Sequence, residues 1–308
     1  MLALTGCTGK IGGAVLSALL SQNLIPPSSL VICTSSDPED ARFARLREQG
    51  ASIRRSNYDE PESMVKAFAG CEKLFLVSSP RIELDFHGAA RGQGRERHHF
   101  AAIDAAVRAG VKHVYYTSLA FGADSQAGVM QAHLRTEAYL KGLGFKWTII
   151  REGLYNESWP LYLGYYWDLA RDEREEVVIA GDGQVSWTSI ADLGLATAVV
   201  IADGMERWEG KTFYLSSSET RSLRDLAKVV SQVKGREIVT KVVGKEDFVE
   251  HYVQRGRDRA SVEWWVSSYE ALERGECDIK DPTFNKLIEE RGVKPKPIED
   301  TVREMLAS

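Results

Sequence analysis

Cysteine is scarce: the 308 residues hold four, at positions 7, 33, 71 and 277. They are widely spaced and form no C-x-x-C, so neither a zinc site nor a disulfide framework is encoded. Cys7, Cys33 and Cys71 lie in or beside apolar runs, where buried reduced thiols are expected. There are six histidines, and His87, His98 and His99 sit at irregular spacing with no cysteine partner, so no metal is expected. Positive charge is not in surplus either. Lys and Arg number 39 against 44 Asp and Glu, a formal net charge of −5, which gives no electrostatic support to nucleic acid or an anionic membrane as partner. No apolar run reaches the roughly 20 residues a membrane helix needs, and the first strand begins at Met1 with no leader pattern before it, so the cytoplasm is the expected location. Repeats, low-complexity tracts and long linkers are missing. A composition of 44% hydrophobic and 27% charged residues is that of a globular protein of one large domain, or one domain with a smaller partner.

The opening stretch carries the strongest pattern. Apolar Leu2-Ala3-Leu4 runs into Thr5-Gly6-Cys7-Thr8-Gly9-Lys10-Ile11-Gly12-Gly13, after which Ile11, Ala14, Val15, Ala18 and Leu19 recur at helical spacing. This predicts a strand, a tight turn and a helix. Glycines at 6, 9 and 12 allow a sharp turn, close approach of backbone N–H groups to a pyrophosphate, and tight packing of helix on strand. The helix start, with unpaired N–H groups and the positive end of the helix dipole, suits phosphate.

Strands are predicted at Leu30–Thr34, Ala51–Arg55, Lys73–Ser79, Val111–Ser118 and Trp147–Arg151. Helices are predicted at Asp40–Glu48, around Met64–Phe68, at His99–Ala109 and at Ala132–Leu143. Residues 81–97 read as an irregular loop too polar for the core. The alternation predicts an α/β fold, a Rossmann-type doubly wound parallel sheet, with a smaller C-terminal α+β substrate lobe. The expected division is 1–155 for the nucleotide domain and 156–308 for a lobe partly interleaved with it. In that lobe, helices are expected at Ala191–Ala202, entered through Ser189, and at Leu223–Lys234. Short strands are expected at Phe213–Leu215 and Glu237–Val243, and helix from Asp247 onward. Ligands of such sheets sit beyond the carboxyl ends of the strands. That rim would carry Thr5–Gly12, with Gly6, Thr8, Gly9, Lys10, Ile11 and Gly12 as cofactor contacts, then Ser35 and Ser36, Asn57 and Tyr58, Ser78–Arg81 with Ser78 and Ser79 as contacts, and Ser118.

The segments TGCTGKIGG, LFLVSSP, AAIDAAVRAGVKHVYYTSL, HLRTEAYL, WTIIREGLY, AGDG and SIADLGLATA occur in this order and spacing. As a set they resemble the NmrA-like branch of the atypical short-chain dehydrogenases over roughly residues 1 to 245. That branch includes quinone oxidoreductases, triphenylmethane reductase, isoflavone-reductase-like enzymes and nucleotide-binding regulators. The resemblance implies an NADP(H)-dependent reductase, NAD(H) being the other candidate coenzyme, acting on an aromatic, quinone-like or polycyclic small molecule. It leaves a homo-oligomer open. The competing expectation is a non-catalytic sensor that binds NAD(P) and a protein partner. An epimerase or dehydratase is disfavoured, because the Tyr-x-x-x-Lys pair those reactions use is missing.

At the positions of that pair stand Val129 and His133. The resemblance therefore gives His133 a place against the cofactor ribose or as a proton source, since an unperturbed imidazole titrates near 6.5. It marks Ser118 as a candidate catalytic hydroxyl, and Tyr155 and Asn156 as contacts to nicotinamide or substrate, Tyr155 with a candidate catalytic role. Where NADPH-preferring relatives end the second strand with arginine this chain has Ser36. Two serines, with Arg42 or Arg81 near, would accommodate the 2′-phosphate. The aromatic run Trp159–Trp167 is expected to be core or lid, with the alternative of a wall for a flat substrate.

Overall fold

The computed structural model describes residues 1–169 and 171–307. In its first half strands and helices alternate: β1 (Leu2–Leu4), α1 (Lys10–Ser21), β2 (Leu30–Thr34), α2 (Ala44–Glu48), β3 (Ser52–Arg55), α3 (Pro61–Phe68), β4 (Lys73–Leu76), α4 (Glu96–Arg108), β5 (His113–Leu119), α5 (Gly128–Gly142) and β6 (Lys146–Glu152). The second half runs through α6 (Trp159–Tyr162), β7 (Glu176–Ile179), α7 (Ile190–Ala202), α8 (Met205–Trp208), β8 (Lys211–Leu215), α9 (Leu223–Lys234), β9 (Val239–Val242), α10 (Lys245–Val253), α11 (Arg259–Glu273), α12 (Thr283–Glu289) and α13 (Ile298–Ala307).

Seven strands form one parallel sheet in the order β3-β2-β1-β4-β5-β6-β8. Leu2, Ala3 and Leu4 are buried, as expected of a central strand covered on both faces. The order reverses at β1, whose neighbours are β2 and β4, and this opens the crevice where ligands of such sheets bind. On one face α1 and α7 lie against Leu4, Ile32, Phe75 and Ile150. On the other, Met64 and Phe68 of α3, Ala102 and Ala106 of α4, and Leu140 of α5 pack on Val31, Leu74 and Tyr116. A separate two-stranded parallel sheet, β7 with β9, is wrapped by α9, α10, α11 and α13 around a third core holding Trp159, Tyr162, Trp265 and Tyr269. The second half is not detached, since β8 extends the main sheet and α12 buries Phe284 and Leu287 in the α1/α7 core.

Local chemistry sets the boundaries. Helix α9 spans the predicted residues because Ser222 and Asp225 form a reciprocal capping box and Gly235 ends the helix at φ +65°. Ser189 caps α7 by accepting from the Asp192 N–H. Three readings are corrected. Residues 40–48 split into a 3-10 turn, Ala41–Phe43, and the five-residue α2. Ladder pairing in the fourth strand stops at Leu76, because Thr5 Oγ1 and Thr117 Oγ1 accept the next N–H groups, of Val77 and Ser78, at 2.9 Å each. The polar stretch 81–97 is not merely a surface loop: Asp85, Arg95 and Glu96 are buried, as ion pairs Arg95–Asp85 (3.1 Å) and Arg135–Glu96 (2.9 Å). In the run from Trp159 to Trp167, Trp159, Tyr162, Tyr165 and Trp167 are core and Tyr166 is exposed.

Gly194 on α7 lies so close to α1 that a Cβ there would stand 2.5 Å from Ala14 Cβ and 2.8 Å from its carbonyl carbon. Gly194→Ala gains about 1 kcal/mol of helix propensity but must push two backbones apart, and overpacking typically costs about 1–3 kcal/mol. Clash exceeds propensity, so urea denaturation is expected to show a less stable protein.

Candidate functional site

The site begins where β1 turns into α1. Gly6 takes φ +67°, and a Cβ on it would lie 2.9 Å from Val77 Cβ. Gly12 has no room at all: its Cβ would stand 2.2 Å from the Gly6 carbonyl oxygen. Gly9 donates to Gly6 O at 2.9 Å and caps α1 with no side chain, and no acidic residue occupies the first turn. Among the described residues the N–H groups of Lys10, Ile11 and Gly12 find no backbone acceptor. Three free donors and an unneutralised helix dipole thus point into the crevice, an arrangement suited to phosphate.

The crevice is a cleft of 570 Å³ running from the ends of β2 and β3, past the glycine turn, to the ends of β4 and β6. Gly6, Thr8, Gly9, Lys10, Ile11, Gly12, Ser35, Asn57, Tyr58, Ser78, Ser79 and Tyr155 all line it. The Tyr58 hydroxyl donates to Val77 O at 3.0 Å and its ring stacks on His98, 5.1 Å between centroids and 6° between planes. Sequence reasoning missed Cys33, Asp59, Met64, Arg95 and His98 as lining residues. His98 was legible only as half of a histidine pair at a helix start. In the structure its Nδ1 meets Ser79 Oγ at 3.0 Å, and Nε2 stands 3.6 Å from Asp59 Oδ1. Burial holds this imidazole below its ordinary pKa.

Four expected residues do not line the cleft. Ser36 falls just outside it, its N–H bound by Thr34 Oγ1 at 3.1 Å. Ser118 is buried and donates to Glu137 Oε1 at 2.7 Å, in a network where Arg151 grips Glu137 through Nε and Nη2 at 2.9 and 2.7 Å. Asn156 turns away and donates from Nδ2 to Lys296 O and Thr301 Oγ1, tying α13 to the body. His133 is 3% exposed, and its Nδ1 lies 3.1 Å from the Tyr116 hydroxyl. Beside it, His99 Nε2 accepts from the Ser79 N–H at 2.8 Å, so the His99 proton sits on Nδ1, facing Thr136 Oγ1 at 2.8 Å. Desolvation, reinforced by Arg95, pushes both imidazoles well below 6.5. The expectation of His133 as a proton source at neutral pH is corrected: the ring is neutral and shielded from the cleft. Arg42 also points elsewhere, over Phe43 and toward Asp40, whereas Arg81 lines the cleft, paired with Asp59 at 3.3 Å and Glu83 at 3.0 Å.

A second cavity of 180 Å³ adjoins this end. It is apolar, lined by Ile82, Val129, Leu161, Tyr165, Tyr166, Ser261, Trp264 and Trp265. Ile82 follows Arg81 of the cleft, and the Val129 carbonyl accepts from Arg95 Nη2 at 2.9 Å, so the two spaces share a wall. Tyr165 and Tyr166 hold φ of +43° and +59°, a sparsely populated region for aromatic residues, and Tyr165 is anchored to Ser261 Oγ at 2.8 Å. Among the described residues no group of His, Cys, Asp and Glu is arranged to hold a metal. No helix among them is long and apolar enough to cross a membrane.

Comparison with known proteins follows the same lines. The model of the NmrA-like family matches residues 1–255. An NmrA-like family domain-containing oxidoreductase of Aspergillus flavus is 32% identical over 98% of this chain and 94% of its own length. The Citrobacter triphenylmethane reductase complexed with NADP(H) superposes with a TM-score of 0.81 at 29% identity, covering 99% of this chain and all of that one. An NADPH-dependent quinone oxidoreductase of Escherichia coli complexed with NADPH gives 0.81 at 28% identity, covering 99% of both chains.

Glu152, three residues before Tyr155, supplies a measurable signature. It is buried with one hydrogen bond, from Thr197 Oγ1 at 3.1 Å, and desolvation raises its pKa to about 8. Between the unfolded value near 4.5 and about 8, the folded protein keeps a proton that the unfolded chain has released. Wild-type stability therefore falls as pH rises through that window, by up to about 1.4 kcal/mol per pH unit. Glu152→Gln removes this slope, so denaturation from pH 5 to 8 is expected to show the variant gaining on wild type as pH rises.

Proposed function

The chain belongs to the NmrA-like family, and from that premise we propose that it is an NADP(H)-dependent reductase that passes hydride to a conjugated aromatic, quinone-like acceptor. The observation that carries this reading is the uncapped start of α1, set in a cleft that shares a wall with an apolar cavity. The residues fit a dinucleotide: Gly12, packed directly on the Gly6 carbonyl, sets the start of α1 against the end of β1 so that its leading N–H groups lie at the cleft. The N–H groups of Lys10, Ile11 and Gly12 take the pyrophosphate, with Thr8 beside them. Ser35, Asn57 and Tyr58 face the adenosine half, and Ser78, Ser79 and Tyr155 the nicotinamide half. No acidic side chain ends β2 to select a 2′-hydroxyl, while Lys10 and Arg81 place cations in the cleft, which supports NADP(H). Residues 1–155 form the cofactor domain, and residues 156–308, apart from α7, β8 and α12, close the acceptor side.

When bound, NADPH supplies the hydride. The protein orients the acceptor and keeps water out. Val129 lines the acceptor cavity where the dehydrogenase tyrosine acid would stand, and the tryptophans and tyrosines opposite offer flat apolar surface. An isolated ketone would become a localised alkoxide with no matched acid beside it, and general acid help is typically worth about 10²–10⁴-fold. A quinone or enone instead spreads the charge over its π-system. The apolar cavity is what separates this reading from a nucleotide sensor, which needs no acceptor space.

Gly9→Val would hang an isopropyl group beside the free N–H groups, and calorimetry should show NADPH binding abolished with the fold retained. In NADPH oxidation assays, quinones and polycyclic enones should turn over at least about 10²-fold faster than simple ketones. Preference for simple ketones would refute the acceptor class, and tight NADPH binding without any turnover would refute the reductase.

A further inference from the structure

Arg95 is 4% exposed, lines the nucleotide cleft and holds the wall of the apolar cavity through the Val129 carbonyl. Its guanidinium meets Ser79 O through Nη1 at 3.5 Å and Asp85 Oδ2 through Nε at 3.1 Å, the latter without hydrogen-bond geometry. One N–H on each of Nη1 and Nη2 is left without an acceptor among the described residues. The other cleft cations are placed differently: Lys10 opens α1 beside the phosphate donors, and Arg81 is half-exposed and shared between two carboxylates. Arg95 is thus the buried cation where cofactor cleft and acceptor cavity meet.

We propose that Arg95 is a specificity-determining residue that selects neutral acceptors which become anions on reduction and rejects cationic dyes. The inference rests on the reductase reading above. Hydride adds to a quinone with two electrons, forming a new bond to hydrogen, oxidising the nicotinamide and giving the hydroquinone monoanion. The charge rests on oxygen until a solvent proton arrives. A buried guanidinium with an unpaired N–H on each terminal nitrogen, held in the wall between the two spaces, stabilises that oxygen in a site with little water, and one such donor typically contributes about 10²–10³-fold in rate. A triphenylmethane cation behaves in the opposite way. It must enter against a like charge, and hydride neutralises it, so no oxyanion forms for Arg95 to hold.

The test compares wild type, Arg95→Lys and Arg95→Gln for NADPH oxidation with 1,4-naphthoquinone and with crystal violet. Binding of 2-hydroxy-1,4-naphthoquinone, an anion at pH 7, to the NADP⁺-loaded proteins is measured by calorimetry. Arg95→Gln is expected to lower the quinone-to-dye turnover ratio by about 10² and to weaken the anion at least tenfold, with Arg95→Lys recovering much of both. A charge-balanced Arg95→Gln/Asp85→Asn variant gives the same readouts should the single substitution strand a buried carboxylate and unfold. Equal loss on both acceptors, or an unchanged ratio and anion affinity, overturns the assignment while leaving the reductase standing. Wild type that binds no NADPH or reduces neither acceptor overturns the reductase reading itself.

Discussion

Gly12 stands against the Gly6 carbonyl with no room for a single further carbon, and the rest of the site depends on that contact. It fixes the first turn of α1 to the end of β1 and leaves its leading N–H groups at the switch point of the sheet. The helix is then held from behind, because Gly194 lets α7 settle on Ala14 at a similarly short distance. Two glycines 182 residues apart in the chain therefore determine one angle. The second half thus clamps α1 through α7, and its β8 and α12 join the main sheet and the α1/α7 core.

Around this frame the interior sorts its polar groups by a single rule. A buried ionisable group either keeps its charge against a partner or gives it up. Glu137 with Arg151, Asp85 with Arg95 and Glu96 with Arg135 follow the first course. His99, His133 and Glu152 follow the second, the imidazoles pushed far below their ordinary range and the carboxyl up to about 8. Tyr116 is likewise held in its phenol form by burial. Near neutral pH, the region between β5, α4 and α5 therefore has hydrogen-bonding order but no group poised to release a proton.

Local pattern made the frame legible. A buried three-residue strand, glycines at fixed spacing and a helical stripe are short-range features, and the box-and-glycine ends of α9 are written in consecutive residues. Strand β7 was missed because a four-residue parallel strand gains its meaning only from β9, some 60 residues later. The buried charges of 81–97 were read as solvent-facing because their neutralising partners, on α5 and within the segment itself, are tertiary. Most site residues on the rim loops were found by position. Cys33 inside β2, Asp59 past the end of β3, Met64 and His98 on helix faces, and the loop cation Arg95 were not. Ser118 and Asn156 show the converse: each follows a strand into the rim region, yet its side chain turns to a carboxylate or to α13.

The same electrostatics explains why two substitutions relative to the dehydrogenase pattern belong together. A lysine at position 133 would place an ammonium between Arg95 and Arg151, the two guanidinium groups whose fields already depress the imidazole there. Each of those arginines has one buried carboxylate partner, Glu137 for Arg151 and Asp85 for Arg95, and a lysine at 133 would add a third buried cation to these two pairs. A neutral histidine satisfies the Tyr116 hydroxyl without adding charge. Without a lysine, a tyrosine at 129 would lose the cation that makes it acidic, and its ring would occupy much of a 180 Å³ cavity. Valine keeps that cavity open and leaves its backbone carbonyl to Arg95. Positive charge is thus kept on Arg95, in the wall between the two cavities, while position 133 carries a neutral imidazole and position 129 an apolar side chain.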